Sequence, residues 1–444
     1  MMKDIAAAVD KHRQLILDAE RFLWKHPETG YREVKSEAYL KEKFEQLGYN
    51  LTMAGDIPGF YTVIDTGRSG PEVLVLGELD SLIVPNHKEC DKETGYVHSC
   101  GHNAQGAALL GIAAALKEPG VLDKMCGRIR LCAVPAEELI EIEYRDGLIE
   151  KGIIKCYGGK GEFLRRGYFD GVDIAFMVHT SKAYGINNGS NGCLAKRVCY
   201  KGTSAHAGGS PWLGKNALYA ASQGLSAANA IRETFQDKDL IRFHPIITEG
   251  GQVVNAIPEL VKMESFVRGK TFEAILDANK RINQALIGAA LSVGANIDIM
   301  DAHGYAPHIN DKNMMLLSKE AADMIIPEEE YKINDVYSTG STDMGELSCV
   351  MPVVHPYAGG ATGTSHGADY YIADPERACV KSAKLQMAML VLLLQDNAKR
   401  AKKILDEYEP QFKSKEEYIE FIDKIRTSGD RIDYSDPDCV KVKL

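Results

Sequence analysis

Four short strings in the 444-residue chain carry side chains able to bind a cation or move a proton. In Tyr96-Val97-His98-Ser99-Cys100-Gly101-His102-Asn103, Cys100 and His102 are two residues apart. An extended segment turns both to one side, where a thiolate and an imidazole could share one metal ion. The glycine between them lets the backbone approach closely. On spacing alone, the pair also fits a buried cysteine beside a histidine at a helix start. The string Pro135-Ala136-Glu137-Glu138 sets two adjacent carboxylates at the end of an apolar run. Neighbours in an extended segment point opposite ways, so one carboxylate can bind a metal while the other faces a water as general base. Taken by itself, that string also reads as a solvated acidic loop. His179 ends the apolar run 174–178, where a core or capping role is the default. His366 lies in the small-residue segment 359–367, which lacks the Lys-Ser/Thr of a phosphate-binding loop. One thiol, one carboxylate and three imidazoles would make five donors, enough for one or two divalent ions.

These strings need a scaffold that brings them to one place. Apolar runs at 73–76, 129–134 and 174–178 each end at polar residues, Gly77-Glu78-Leu79-Asp80 among them, and helical patterns separate the runs. Continuous apolar strands alternating with helices predict an α/β fold with a buried, mostly parallel sheet flanked by helices. In such sheets ligands sit outside the carboxyl ends of the strands, where these side chains fall. Helical periodicity is expected over 2–25, 36–47 and 104–117. From about 193 to 306 the order becomes strand, helix, strand, strand, helix, strand, the split βαβ pattern of a ferredoxin-like α+β domain inserted into the first. The expected division is therefore 1–192 and 307–444 for the catalytic domain and 193–306 for the insertion, with helices at 402–408 and 416–426 forming a carboxyl-terminal extension.

Composition narrows the partners. Lys and Arg number 52 against 62 Asp and Glu, a net charge of 52 − 62 = −10, which argues against nucleic acid. The longest apolar run, 387–394, is short of a membrane span. The ten cysteines show no disulfide spacing and no secretory leader is evident, so a reduced, cytoplasmic protein is expected.

Taken together, the strings Gly77-Glu78-Leu79-Asp80-Ser81-Leu82, His98-Ser99-Cys100-Gly101-His102-Asn103 and Pro135-Ala136-Glu137-Glu138 resemble the metallo-aminoacylase/carboxypeptidase family, a family of zinc peptidases and amidohydrolases. The closest branch is the thiol-bearing one, with N-acyl amino acid, hippurate and auxin-conjugate amidohydrolases and aminobenzoyl-glutamate hydrolase. The resemblance extends to Gly202-Thr203-Ser204-Ala205-His206-Ala207, Asn255-Ala256-Ile257-Pro258 with Arg268, and Ser365-His366, in family order over roughly residues 10–395. It implies a metallopeptidase-like catalytic domain with the insertion as lid and dimerisation domain. It further implies that Cys100, His102, Glu138, His179 and His366 bind one or two divalent ions, zinc or manganese, with Cys100 bridging two. Glu137 would be the general base, and Asp80 would orient a metal ligand from behind. His206 would donate to the oxyanion, reaching the partner subunit's active site in a homodimer formed through 193–306. Asn255 and Arg268 would bind the substrate's carbonyl and terminal carboxylate.

The expected activity is metal-dependent hydrolysis of a small N-acyl amino acid or dipeptide-like amide with a free carboxylate. Two readings compete with it: a thiol hydrolase with Cys100 as nucleophile, and a non-catalytic small-ligand or metal-binding protein on the same fold. The chain departs from the branch at Leu139-Ile140-Glu141-Ile142-Glu143-Tyr144, where a glycine-rich turn is usual, at Asn103, where aspartate is common, and at 157–168, which looks like an insertion.

Overall fold

The computed structural model describes residues 2–436 and 438–444. Its contacts divide the chain into two compact units: 1–189 with 308–338 and 342–415, and 190–307 with 339–341 and 416–444.

The first unit is built on a six-stranded mixed sheet in the order Thr52–Met53, Phe60–Asp65, Arg128–Val134, Glu72–Glu78, Ile174–Phe176, Val353–Val354. The first three strands pair antiparallel with one another, and the pairings from Arg128–Val134 onward are parallel. Every residue of Glu72–Glu78 is buried. That explains the unbroken apolar run Val73–Leu76: both faces of the strand are covered, so no position can alternate to polar. Its one early charge, Glu72, is answered by Arg128 and Arg130, each 2.6 Å away.

Against the sheet lies the helix His102–Leu116, buried along its whole length. Its alanines and glycines let neighbours approach on every side, and a side chain added at Gly111 would strike Ile16. A helix without a polar face is stable only inside a core. Gly101 starts it in the left-handed conformation (φ 88°), and a Cβ there would strike the Tyr370 hydroxyl.

Several expected elements take a different form. The pattern over 2–25 is two helices, Met2–Lys11 and Arg13–Lys25. The apolar run 387–394 belongs to a longer helix, Glu376–Glu407, which is long and apolar enough by composition to cross a membrane; 83% of its apolar window is buried inside the protein. That hydrophobicity serves the core. The chain leaves helical geometry within it at residues 395–398.

In the second unit a four-stranded antiparallel sheet is ordered Arg242–Glu249, Leu260–Gly269, Gly192–Lys201, Asn296–Tyr305. The helices Ala217–Ala230 and Phe272–Ser292 pack on it, so chain order and sheet order together are those of a ferredoxin-like sandwich. Strand Leu260–Gly269 alternates between buried positions and exposed or half-exposed ones, as a sheet covered on one face requires. Both helices start at side-chain caps: Asn216 accepts from the N–H groups of Leu218 and Tyr219, and Thr271 from that of Ala274. The carboxyl-terminal residues 416–444 group with this unit rather than with the catalytic domain as expected. Bridges join Asp298 to Asp430 and Asp301 to Thr427, and Ile432 enters the core, followed by a hairpin of Ile432–Asp436 and Cys439–Val442. Nothing in the charged, helical-looking sequence of this extension signals that pairing.

The buried central helix leaves no room for added volume. Ala108→Leu is expected to cost about 1–3 kcal/mol through overpacking, read from urea unfolding midpoints. An unchanged midpoint would contradict the enclosure of this helix.

Candidate active site

Asp80 follows the carboxyl end of strand Glu72–Glu78 and is fully buried. Its Oδ2 accepts the backbone N–H of Glu138 at 2.7 Å, while its Oδ1 and its carbonyl oxygen lie 3.1 and 2.9 Å from His102 Nδ1. Both neighbours of Nδ1 are acceptors, so Nδ1 carries the hydrogen and Nε2 turns to the site. His179 is fixed the same way: its Nδ1 lies 2.8 Å from the Thr180 carbonyl, and its Nε2 is 3.3 Å from Cys100 Sγ. His366 Nε2 is 3.4 Å from Glu138 Oε1. Cys100, His102 and His179 form one group of donor atoms, and Cys100, Glu138 and His366 another, each within 4.8 Å. All five expected donors therefore come together, with Cys100 common to both groups. Glu137 lies beside them, its Oε2 3.9 Å from His102 Nε2.

The donors fit a cation. His102 Nε2 and Glu138 Oε1 are buried without a hydrogen-bond partner, a costly arrangement that a metal ion resolves. Burial, and then the neighbouring Glu78 and Glu138 carboxylates, hold the Glu137 carboxyl well above the usual carboxylate range. Burial, and then Glu138, likewise raises the Cys100 thiol. Burial alone leads in pushing His179 down to about 4, which keeps its imidazole neutral at physiological pH. Positive charge among these groups reverses the first two effects, because an adjacent cation favours every anionic donor.

The loop bearing Glu137 and Glu138 is braced from behind. Ala136 takes the left-handed conformation (φ 56°), and its N–H donates to the buried Glu33 carboxylate at 2.7 Å. The buried Arg145 guanidinium donates to the carbonyls of Glu138 and, at 2.6 Å, Tyr157. Where the resembled branch turns on glycine, Glu141 adopts φ 53° and is anchored at 2.8 Å by Arg32, whose guanidinium also stacks over Tyr144.

The stretch 157–168, read from sequence as an insertion, is built against this loop. Gly159 donates its N–H to the Ala136 carbonyl at 3.1 Å, and a Cβ at Gly159 would collide with the Pro135 carbonyl oxygen. The next residue, Lys160, is completely buried. Its Nζ donates to Glu78 Oε1 at 2.5 Å and to Asp343 Oδ1, and its backbone N–H to Asp343 Oδ2 at 2.9 Å. Sequence reasoning assigned no role to Glu78, Lys160 or Asp343, nor to His355, whose ring stands 5.7 Å from that of His179. Glu78 did carry a signal, since it lies two residues before Asp80 and shares its side of the strand. Lys160 carried none.

The remaining expected residues belong to the second unit. His206 is exposed and Nδ1 accepts from the N–H groups of Gly208 and Gly209 at 3.1 and 2.8 Å, so its hydrogen sits on Nε2 and is available to donate. His206 pairs with Ala256, next to the exposed Asn255. Arg268 lies half-buried on strand Leu260–Gly269, donating to Ser341 Oγ at 3.0 Å.

The model of peptidase family M20/M25/M40 matches residues 74–391, more than half of the chain. The chain belongs to this family. It is thus an M20 hydrolase acting on amide or peptide bonds, in a family that includes dinuclear metal-binding enzymes and acts on small substrates. A Xaa-Arg dipeptidase of Mus musculus is 28% identical over 373 residues, covering 79% of this chain and 78% of the relative. A p-aminobenzoyl-glutamate hydrolase chain of Escherichia coli is 27% identical over 301 residues, covering 66% and 58%. Among solved structures, a dinuclear metal-binding peptidase of Bacillus subtilis from the M20 family superposes with a TM-score of 0.63 at 20% identity, over 87% of this chain and 99% of the other.

Within this M20 centre, Lys160 answers two buried carboxylates at once. Lys160→Met is expected to destabilise the protein by about 3–5 kcal/mol, because it strands Glu78 and Asp343 without their cation. Urea unfolding measures this, and a loss below about 1 kcal/mol would show that the carboxylates do not depend on it.

Proposed function

We propose that this protein is a metal-dependent amidohydrolase that cleaves a small N-acyl amino acid or dipeptide-like amide bearing a free carboxylate. The convergence of Cys100, His102, Glu138, His179 and His366 on two overlapping donor groups carries the reading. These five residues would hold one or two divalent ions, Cys100 being common to both donor groups. A thiolate with imidazoles favours zinc, while the carboxylate also suits manganese. Such ions would acidify a bound water toward neutral pH and polarise the scissile carbonyl.

The protein's own groups do the rest. Glu137 accepts the proton of the attacking water at its carboxylate and returns it to the leaving nitrogen. Asp80 holds the His102 ring in the tautomer that presents Nε2 to the site. His206, with its hydrogen on Nε2, donates to the oxyanion in the partner subunit's active site, and Asn255 binds the substrate carbonyl. Arg268 offers a planar fork to the terminal carboxylate. The names of the relatives support this class: an amide on glutamate and a dipeptide ending in arginine both leave a carboxylate beside the scissile bond.

The second unit acts as lid and as the homodimer contact. Supporting this, Arg242–Glu249 is an edge strand, and Trp212, Leu213, Tyr219, Ile246 and Ile247 of this unit are exposed. None of the ten cysteines is in a disulfide, in keeping with a reducing, cytoplasmic setting. A thiol hydrolase is disfavoured, since such a nucleophile needs a depressed pKa and the surroundings of Cys100 raise it.

The test is amine release from a panel of N-acyl amino acids, dipeptides and aminobenzoyl-glutamate by metal-reconstituted protein. Hydrolysis should vanish on exhaustive chelation and return with zinc or manganese; turnover that survives chelation would refute the metal role. Cys100→Ala should lose bound metal by elemental analysis together with activity. Glu137→Gln and His206→Ala should keep their metal while kcat falls, the latter by on the order of 10²–10³-fold, and a normal kcat in either would remove that residue from the mechanism. Arg268→Ala should raise KM for free carboxylates and leave ester analogues unaffected. Equal losses on both would contradict its carboxylate contact.

A further inference from the structure

The family resemblance supplies five donors, and the structure sets a sixth beside them. Glu78 Oε2 lies 3.2 Å from His102 Nε2, in a fully buried position. This contact is not a hydrogen bond, because His102 Nε2 has no hydrogen-bond partner. His102 Nδ1 faces the two Asp80 acceptors and carries a hydrogen, so Nε2 is the ring atom turned toward the carboxylate oxygen. A ring nitrogen and a carboxylate oxygen this close, with no hydrogen bond joining them, leave a gap that suits a positive ion. Ligands about 2.0–2.1 Å from one ion stand about 2.8–3.4 Å apart at octahedral or tetrahedral angles. The observed separation falls in that interval. Glu137 completes a group with Glu78 and His102 whose donor atoms all lie within 4.8 Å.

The Glu78 carboxylate is also held for the task. Its Oε1 is taken by Lys160 Nζ at 2.5 Å. Its Oε2 accepts from Gln105 Nε2 at 2.7 Å, and a carboxylate oxygen with one donor keeps a second lone-pair site. Gripped at both oxygens, the group can present Oε2 but cannot swing to chelate through both. Lys160 is held in turn by Asp343, and its approach depends on Gly159 lying flush against the Pro135 carbonyl.

We propose that Glu78 is a monodentate ligand of the ion bound by His102, and that Lys160 is the positioning residue that fixes which of its oxygens coordinates. This rests on the reading that His102 ligates an ion.

Cobalt(II) titration of the full apo-protein, followed by visible absorbance, tests it without using activity. Glu78→Gln preserves the shape of the side chain and can still accept from Lys160. It is expected to weaken at least one cobalt-binding step by about 10–100-fold and to shift the ligand-field bands of that ion. Because an orienting residue alone can produce that loss of affinity, the spectrum decides: weaker binding with wild-type bands would overturn ligation, as would unchanged affinity. Glu78→Asp keeps the charge but draws the oxygen back by one methylene. It should change the bands as well, and wild-type bands with wild-type affinity would reduce Glu78 to a source of charge and overturn the proposal. Cys100→Ala, titrated alongside, separates the two levels of argument. If it retains wild-type cobalt binding, the five-donor reading fails; if it loses binding while Glu78→Gln does not, only the sixth ligand fails. Lys160→Arg, which retains the charge, should keep the cobalt bands closer to wild type than Glu78→Gln does, and bands as displaced as those of Glu78→Gln would refute the positioning role.

Discussion

One carboxylate ties the centre together. The two oxygens of Asp80 engage different segments: Oδ1 faces the ring of His102 at the start of the central helix, and Oδ2 receives the backbone of Glu138 on the neighbouring loop. The first contact selects the tautomer that leaves Nε2 facing inward, and the second fixes the loop that carries both adjacent glutamates. Parallel strands alone would bring these segments only to the same edge of the sheet. Asp80 converts that proximity into a fixed geometry, and its burial removes competition from water.

Around this tie the protein gathers more negative charge than it can solvate. Cys100, Glu78, Glu137, Glu138, Asp80 and Asp343 are all buried, and Lys160 is the buried ammonium that binds directly among them. The opposed directions of the pKa shifts follow from this crowding. Glu137 is driven up by burial and then by its acidic neighbours, whereas Glu78, with Lys160 and His102 beside it, is held below the usual range despite its burial. The site is thus divided into a carboxylate kept ionised by a fixed cation and one whose ionisation depends on added positive charge.

Much of this was readable from residue order, and the limits have physical causes. The parallel sheet announced itself because strands buried on both faces tolerate only apolar residues, as in Val73–Leu76. The donors at Cys100 and His102 stood out through two-residue spacing, and the pair Glu137-Glu138 through alternation at a strand end. Lys160 was invisible: a lysine in a segment rich in glycine looks like surface, and only the close contact of Gly159 with Pro135 shows that it points inward. The terminal hairpin was equally hidden, since its second strand is exposed throughout and the bridges just before it, from Thr427 and Asp430, are to partners more than 100 residues away. Long-range pairing leaves no trace in local periodicity.

The enclosed helix His102–Leu116 bears on how the chain is made. Its walls include Ile16 near the amino terminus and Ala383 far downstream, and the Leu394 carbonyl closes the turn that follows, accepting the Cys126 N–H at 2.8 Å. During synthesis the segment carrying His102 thus leaves the ribosome long before its enclosure exists, and His366 has yet to be added. A nascent chain accordingly lacks an assembled centre until His366 and the enclosing segment through Leu394 have emerged.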